Sequence, residues 1–264
     1  MNLFTKIDQE KLLEFISLRQ KNDGGFAAFP SLPHTLQDTF QAIDTLSVIE
    51  NQLGRDNLVD SAKTKETVRY VTGSQAGGAT GSMRLQYLIA EICRLLKIES
   101  RLIPDAIIYD SGGETDYEYG FHRQYFGLPP GGQVLDIDGL FRRKHLTCKD
   151  LMFFLKITSE KDRGTLKNRA VDWLRKCQNA DGGFGFYPGT TSYIENCHYC
   201  LESLSILGQL PQYDHKTENF ILWSQTTSGG FSRNIRAAPF LDSTWHAVRA
   251  LRALQQLQDI PRKP

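Results

Sequence analysis

Between residues 195 and 200 the chain sets a carboxylate, two thiols and an imidazole almost side by side, in Glu195-Asn196-Cys197-His198-Tyr199-Cys200. These are the side chains that bind zinc and similar metals. Cys197 and Cys200, three apart on a presumed helix, can share one face. Cysteine is equally a common small residue of helical cores. A second stretch, Asp105 to Glu118, holds Asp105, Asp110, Glu114, Asp116 and Glu118. Those oxygens suit magnesium and a diphosphate, although a solvated loop has the same composition. The run Arg142-Arg143-Lys144-His145 can meet a diphosphate or simply face solvent. The aromatics Phe40, Tyr87, Phe153, Phe154, Tyr199 and Trp245 are of a type that lines apolar cavities and stabilises carbocations through their ring faces. Neither a glycine-rich phosphate loop, a nucleophile elbow nor a His-Glu-x-x-His metal motif is present.

Positioning these groups requires a fold, and the composition bounds it. The 264 residues carry 31 basic against 30 acidic side chains, a net charge of +1, with 40% hydrophobic and 23% charged residues. That is ordinary for a globular protein, and it offers no electrostatic reason to expect nucleic acid or an anionic membrane as partner. Five cysteines at irregular spacing do not read as a disulfide framework. The start, Met1 to Glu10, lacks the apolar core of a signal peptide. No apolar run reaches the roughly 18 residues of a membrane span. A cytoplasmic protein with one domain over residues 1–264 is the expectation.

The dominant signal is a repeat. Gly-Gly pairs fall at Gly24-Gly25, Gly77-Gly78, Gly131-Gly132, Gly182-Gly183 and Gly229-Gly230, roughly fifty residues apart. Three copies share a longer pattern: Gln20-Lys21-Asn22-Asp23-Gly24-Gly25-Phe26, Gln178-Asn179-Ala180-Asp181-Gly182-Gly183-Phe184 and Gln225-Thr226-Thr227-Ser228-Gly229-Gly230-Phe231. An amphipathic stretch precedes each pair. About ten irregular residues and a second apolar helix follow it, as in Thr39 to Leu46, Leu85 to Leu96, Lys149 to Ile157, Cys197 to Leu204 and Thr244 to Leu254. Apolar residues recur at three- and four-residue steps, so both halves read as helix. The glycines are expected to end the first helix, since they accept positive φ. Two-helix units cannot bury both faces alone and must stack. An all-α architecture of about five to six helical hairpins follows, either an open solenoid or a closed ring. Residues 101–125 are where a degenerate sixth hairpin would lie.

The Gln-x-x-x-Gly-Gly-Phe motif followed by a Thr/Ala/Leu-rich helix resembles the repeat of the terpenoid cyclase and protein prenyltransferase β-subunit superfamily. The resemblance implies an αα-toroid whose inner helices enclose an apolar, aromatic-lined cavity for an isoprenoid. It places Phe40, Tyr87, Phe153, Tyr199 and Trp245 on the wall of that cavity. It also implies a zinc site, since prenyltransferase β subunits hold the metal with an Asp-x-Cys pair and a later His. Here Glu195-Asn196-Cys197 and His246 resemble those segments, with Glu for Asp, giving Glu195, Cys197 and His246 as ligands and one open position for a substrate thiol. His198 or Cys200 can replace members of that set. Thr190 and Tyr193 stand where the family has diphosphate-binding basic residues, which speaks against ordinary protein prenylation.

Asp136-Ile137-Asp138-Gly139 resembles the Asp-x-Asp-Asp motif of class II terpene cyclases, with Gly139 for the last Asp. The resemblance makes Asp138 a general acid supported by Asp136, provided burial keeps it protonated. Asp38 and Asp242, at inner-helix starts, are further candidate acids and equally read as N-caps. Three functions stand open: an isoprenoid-processing enzyme acting on a polyprenyl diphosphate through zinc-dependent transfer, a proton-initiated cyclase, and a non-catalytic toroid that binds a lipid or a protein. A partner subunit is a further expectation of the resemblance.

Overall fold

The computed structural model describes residues 2–76, 82–99, 116–128 and 137–260. Their frame is a ring of six helices: α2 (Leu36–Leu53), α5 (Met83–Leu96), α6 (Asp116–Tyr125), α8 (Cys148–Ile157), α10 (Ile194–Leu207) and α12 (Leu241–Gln258). Each packs against the next in that order, and α12 returns to pack against α2, which closes the ring. Outside it lie α1 (Gln9–Ser17), α3 (Leu58–Ala62), α4 (Lys65–Ala76), α9 (Glu160–Cys177) and α11 (Asp214–Trp223), with the single turn α7 (Ile137–Leu140) between α6 and α8. Among the described residues there is no strand, only isolated bridges. This is an all-α toroid, and α6 supplies the sixth inner helix.

The Gly-Gly pairs at Gly24, Gly182 and Gly229 do not end the outer helices; Gly77-Gly78 and Gly131-Gly132 lie outside the described residues. Helix α1 stops at Ser17, well before Gly24, and its C-cap Leu18 keeps right-handed helical angles. The left-handed glycine caps belong to inner helices instead: Gly54 after α2 and Gly208 after α10. The motif is a docking turn. Gln20 bridges back to Phe26, Gln178 to Phe184 and Gln225 to Phe231. The first glycine of each pair sits at φ +93°, +91° and +89°, where a side chain is strained. A Cβ at Gly24 would lie 2.1 Å from the backbone of Thr67, at Gly182 2.2 Å from that of Lys216, and at Gly229 2.1 Å from that of Lys11. The turn therefore presses bare backbone onto the start of the next outer helix.

The motif glutamine completes the joint. Gln178 Nε2 donates to Thr217 Oγ1 at 2.7 Å, and Tyr213 N donates to Gln178 Oε1 at 3.1 Å. Gln20 Nε2 donates to Ala62 O at 3.1 Å and Thr67 Oγ1 at 3.2 Å. Gln225 Nε2 donates to Asp8 O at 3.0 Å and Asp8 N donates to Gln225 Oε1 at 2.9 Å, at the beginning of α1. The last motif thus docks on the first outer helix and closes the outer layer too.

The motif phenylalanine drops into the core, with Phe26, Phe184 and Phe231 fully buried. Thirteen residues on, an inner-helix side chain accepts its backbone N–H: Thr39 Oγ1 for Phe26 at 3.0 Å and Thr244 Oγ1 for Phe231 at 2.9 Å. For Phe184 the acceptor is the thiol of Cys197.

Candidate functional site in the central chamber

The chamber is built by helical register. Thr35, Ser82, Thr147, Tyr193 and Phe240 occupy the N-cap positions of their inner helices. The second, fifth, sixth and ninth residues after a cap lie on one face of a helix, and that face points to the axis. The fifth residues are Phe40, Tyr87, Met152, His198 and Trp245, joined by Phe121 of α6. The sixth are Gln41, Leu88, Phe153, Tyr199 and His246, joined by His122. These two tiers, one side chain from every inner helix in each, form the wall of a cavity of about 190 Å³. All five aromatics expected on a cavity wall are there, while Phe154 is buried in the outer packing against Tyr117. The rings touch around the circle, with Phe40 to Trp245 at 5.9 Å, Tyr87 to Phe121 at 5.6 Å and Phe121 to Phe153 at 5.4 Å between centroids.

The rim is the second-residue tier: Gln37, Arg84, Lys149 and Asp242, with Glu118 of α6. Lys149 Nζ lies 2.6 Å from Glu118 Oε2, and Arg84 Nη2 donates to Gln37 Oε1 at 3.0 Å. The floor is the ninth-residue tier, and it consists of three pairs across neighbouring helices. Arg249 makes two 2.6 Å bonds to Asp44, Lys156 lies 3.3 Å from Glu202, and Tyr125 donates to Glu91 at 2.8 Å. Trp245 Nε1 also donates to Asp44, at 2.7 Å. Below the floor a second, polar chamber of about 490 Å³ shares Tyr87, Lys156 and Arg249 with the first.

A polar seam crosses the aromatic wall. Gln41 Nε2 donates to Asp242 Oδ1 at 2.6 Å, Asp242 Oδ1 lies 3.6 Å from His246 Nε2, and His246 Nδ1 lies 2.8 Å from His198 Nδ1. Burial holds both rings neutral: His246 is held down at about 4, and His198 is held well below the usual imidazole range by burial and by His246.

The expected zinc ligands are not gathered. Glu195 is ion-paired with Arg233 and does not reach the chamber wall. Cys197 faces away from the axis, toward the Phe184 amide, and burial pushes its thiol up, against thiolate formation. Cys200 hydrogen-bonds with Cys148 and Cys177 between α8, α9 and α10. His246 alone of Glu195, Cys197 and His246 lines the chamber. Among the described residues no three His, Cys, Asp or Glu side chains are placed to hold a metal. The donor set does not fit zinc.

Of the carboxylates expected to act as acids, Asp242 lines the chamber. Asp138 lies on α7, exposed, 2.7 Å from Arg169 and away from the chamber. Asp38 is buried in the first turn of α2, where burial raises its carboxyl and Thr35 Oγ1 donates to it at 2.7 Å. Neither Asp38 nor Asp242 is an N-cap, those positions being Thr35 and Phe240. Asp136, Asp105, Asp110 and Glu114 lie outside the described residues, as does the side chain of Asp116. Arg143 stacks over Tyr117 at 4.5 Å, and the basic run beside it does not line the chamber.

Nothing in the motif spacing alone marks Arg249, Asp44, Lys149, Lys156 or His122. The first four follow from the repeat once the N-caps are aligned; His122 follows only from the position of α6.

A family model described as the prenyltransferase alpha-alpha toroid domain matches residues 1–135, 146–195 and 190–264. The chain belongs to this family. Among curated relatives, it is 24% identical to the geranylgeranyl transferase type-2 subunit beta of Candida albicans over 97% of this chain and 62% of the relative. It is 30% identical to the Saccharomyces cerevisiae protein of the same name over 33% of this chain and 28% of the relative. It is also 24% identical to a drimenyl diphosphate synthase of Streptantibioticus cattleyicolor over 86% of this chain and 42% of that protein. The chain thus spans less than two thirds of the length of each. No helix among the described residues is long and apolar enough to cross a membrane.

Proposed function

We propose that this member of the toroid family handles an isoprenoid, taking its apolar chain into the central chamber as an isoprenoid-processing enzyme. The observation that carries this reading is the pair of aromatic-rich tiers to which all six inner helices contribute, open at a polar rim and floored by paired charges. An apolar chain buried there gains roughly 25 cal/mol for each Å² removed from water, and the ring faces can stabilise positive charge developing on it. The relatives named as a transferase subunit and as a diphosphate synthase point to the same substrate class. The word subunit in two of those names also supports a protein partner for this chain.

No step through zinc is part of the proposal, because Glu195, Cys197 and His246 diverge. Asp242 is poorly placed to protonate a buried alkene, since it sits at the rim with its side chain 60% exposed and its Oδ1 already accepts from Gln41 Nε2. The test is incubation of the purified chain, alone and with cell extract, with polyprenyl diphosphates and free polyprenols of two to four isoprene units, followed by product and bound-lipid analysis. Conversion or retention of one of these supports the reading. Neither conversion nor retention by chain or extract complex overturns it and leaves a protein-binding toroid.

A further inference from the structure

We infer that the chamber's polar seam selects an isoprenoid whose head group is a neutral hydrogen-bond donor, an alcohol, and that His198 Nε2 accepts its hydroxyl proton. The inference rests on the isoprenoid reading above and adds the class of head group. An ionised carboxylate only accepts hydrogen bonds. Asp242 therefore fixes the Gln41 amide with its nitrogen toward Asp242, leaving Gln41 Oε1 as a buried acceptor with no partner among the described residues. The same carboxylate, 3.6 Å from His246 Nε2, favours a proton on that nitrogen. His246 Nδ1 is then a lone pair, and the 2.8 Å contact between the two Nδ1 atoms requires the hydrogen to come from His198. With its Nδ1 carrying the proton, neutral His198 has a lone pair on Nε2, and no group among the described residues donates to it. The opposite tautomers would aim a His246 lone pair at the carboxylate. Both ends of the seam are thus acceptors, and a ligand must bring the donor.

A diphosphate finds the reverse of what it needs. The chamber cations Lys149, Lys156 and Arg249 are bound to Glu118, Glu202 and Asp44, and Arg84 sits at the rim on Gln37. A multiply charged anion would face Asp242 and two acceptor atoms with most positive charge already neutralised.

Isothermal titration of the full chain with geraniol, geranyl methyl ether, geranyl diphosphate and the hydrocarbon myrcene tests this. Geraniol should bind about tenfold more tightly than the ether, the worth of one good buried hydrogen bond, and more tightly than the diphosphate. In His198→Phe, which places in α10 the residue type found at Phe40, the alcohol and ether should bind alike. Equal binding of alcohol and ether to the wild-type chain, or preference for the diphosphate, overturns the inference and leaves the isoprenoid reading intact. This comparison needs no variant. Retention of the preference in folded His198→Phe removes His198 from the role. Failure of all four ligands to bind sinks the isoprenoid reading itself.

Discussion

At the scale of single residues the floor of the chamber is the sharpest test of the energetics. Arg249 is mostly buried, its side chain 20% exposed, and is held by the buried Asp44 through two 2.6 Å bonds. Asp44→Ala strands that cation and should cost about 3–5 kcal/mol of unfolding free energy, read from urea denaturation. Replacing both partners, as in Asp44→Leu with Arg249→Met, should recover most of the loss, because an apolar pair needs no desolvation offset. A single and a double variant of equal stability would mean the pair does not couple. The seam histidines predict a pH dependence. Their folded pKa values lie below the unfolded value near 6.5, so between about pH 4 and 6.5 the unfolded chain binds more protons. Stability should rise with pH across that window, by about 1.4 kcal/mol per pH unit for each ring. His198→Phe should flatten the slope measured between pH 5 and 6.5, and an unchanged slope would show that His198 is protonated in the fold.

At the scale of elements, the motif phenylalanine explains why Cys197 looked like a ligand. Counting thirteen residues from Phe26, Phe184 and Phe231 lands on Thr39, Cys197 and Thr244, all bonded to that phenylalanine's amide. Cys197→Thr should therefore change the melting midpoint little, within about 1 kcal/mol, and leave any isoprenoid binding untouched. A large loss of binding would restore the metal reading. The offset is written in the sequence, but it becomes meaningful only when the helices are aligned on their caps rather than on their glycines.

The glycines themselves give a second contrast within one repeat. Gly182→Ala forces a side chain at φ +91° against the backbone of Lys216 and should cost about 2–4 kcal/mol. Gly164, inside α9, would meet nothing within 4 Å, and Gly164→Ala should stabilise by about 0.5–1 kcal/mol. Thermal unfolding of the two variants reads the difference. The repeat was legible because three copies keep glutamine, glycines and phenylalanine together. The sixth inner helix was legible only as a place, residues 101–125, because no glycine pair on the period of the repeat marks α6 and its chamber residues Phe121 and His122 are recognisable only by what they face.

At the scale of the whole molecule, closure makes residues far apart in sequence mechanical neighbours. Gln225 and Gly229 dock on Asp8 and Lys11, so the ends of an array of repeats support each other. In an open solenoid a local defect stays local. Here Gly229→Ala should raise amide hydrogen exchange in α1 as well as around residue 229. Acceleration confined to residues near 229 would mean the outer layer is not mechanically closed. The spacing alone left an open solenoid or a closed ring; the enclosed ring, with Phe40, Tyr87, Phe153, Tyr199 and Trp245 on its wall, was legible only through the family resemblance. The paired floor was not legible, because which charges of neighbouring inner helices come to the same depth emerges only once the helices are aligned on their N-caps.

That floor decides whether the ring is a cup or a pipe. Three cross-helix pairs separate an aromatic vessel of about 190 Å³ from a polar one of about 490 Å³ beneath it. Shortening one pair, as in Tyr125→Ala opposite Glu91, would pierce the partition without disturbing the rim. A guest's tail could then thread onward, and the longest guest accommodated would be set by the drilled hole rather than by the depth of the vessel.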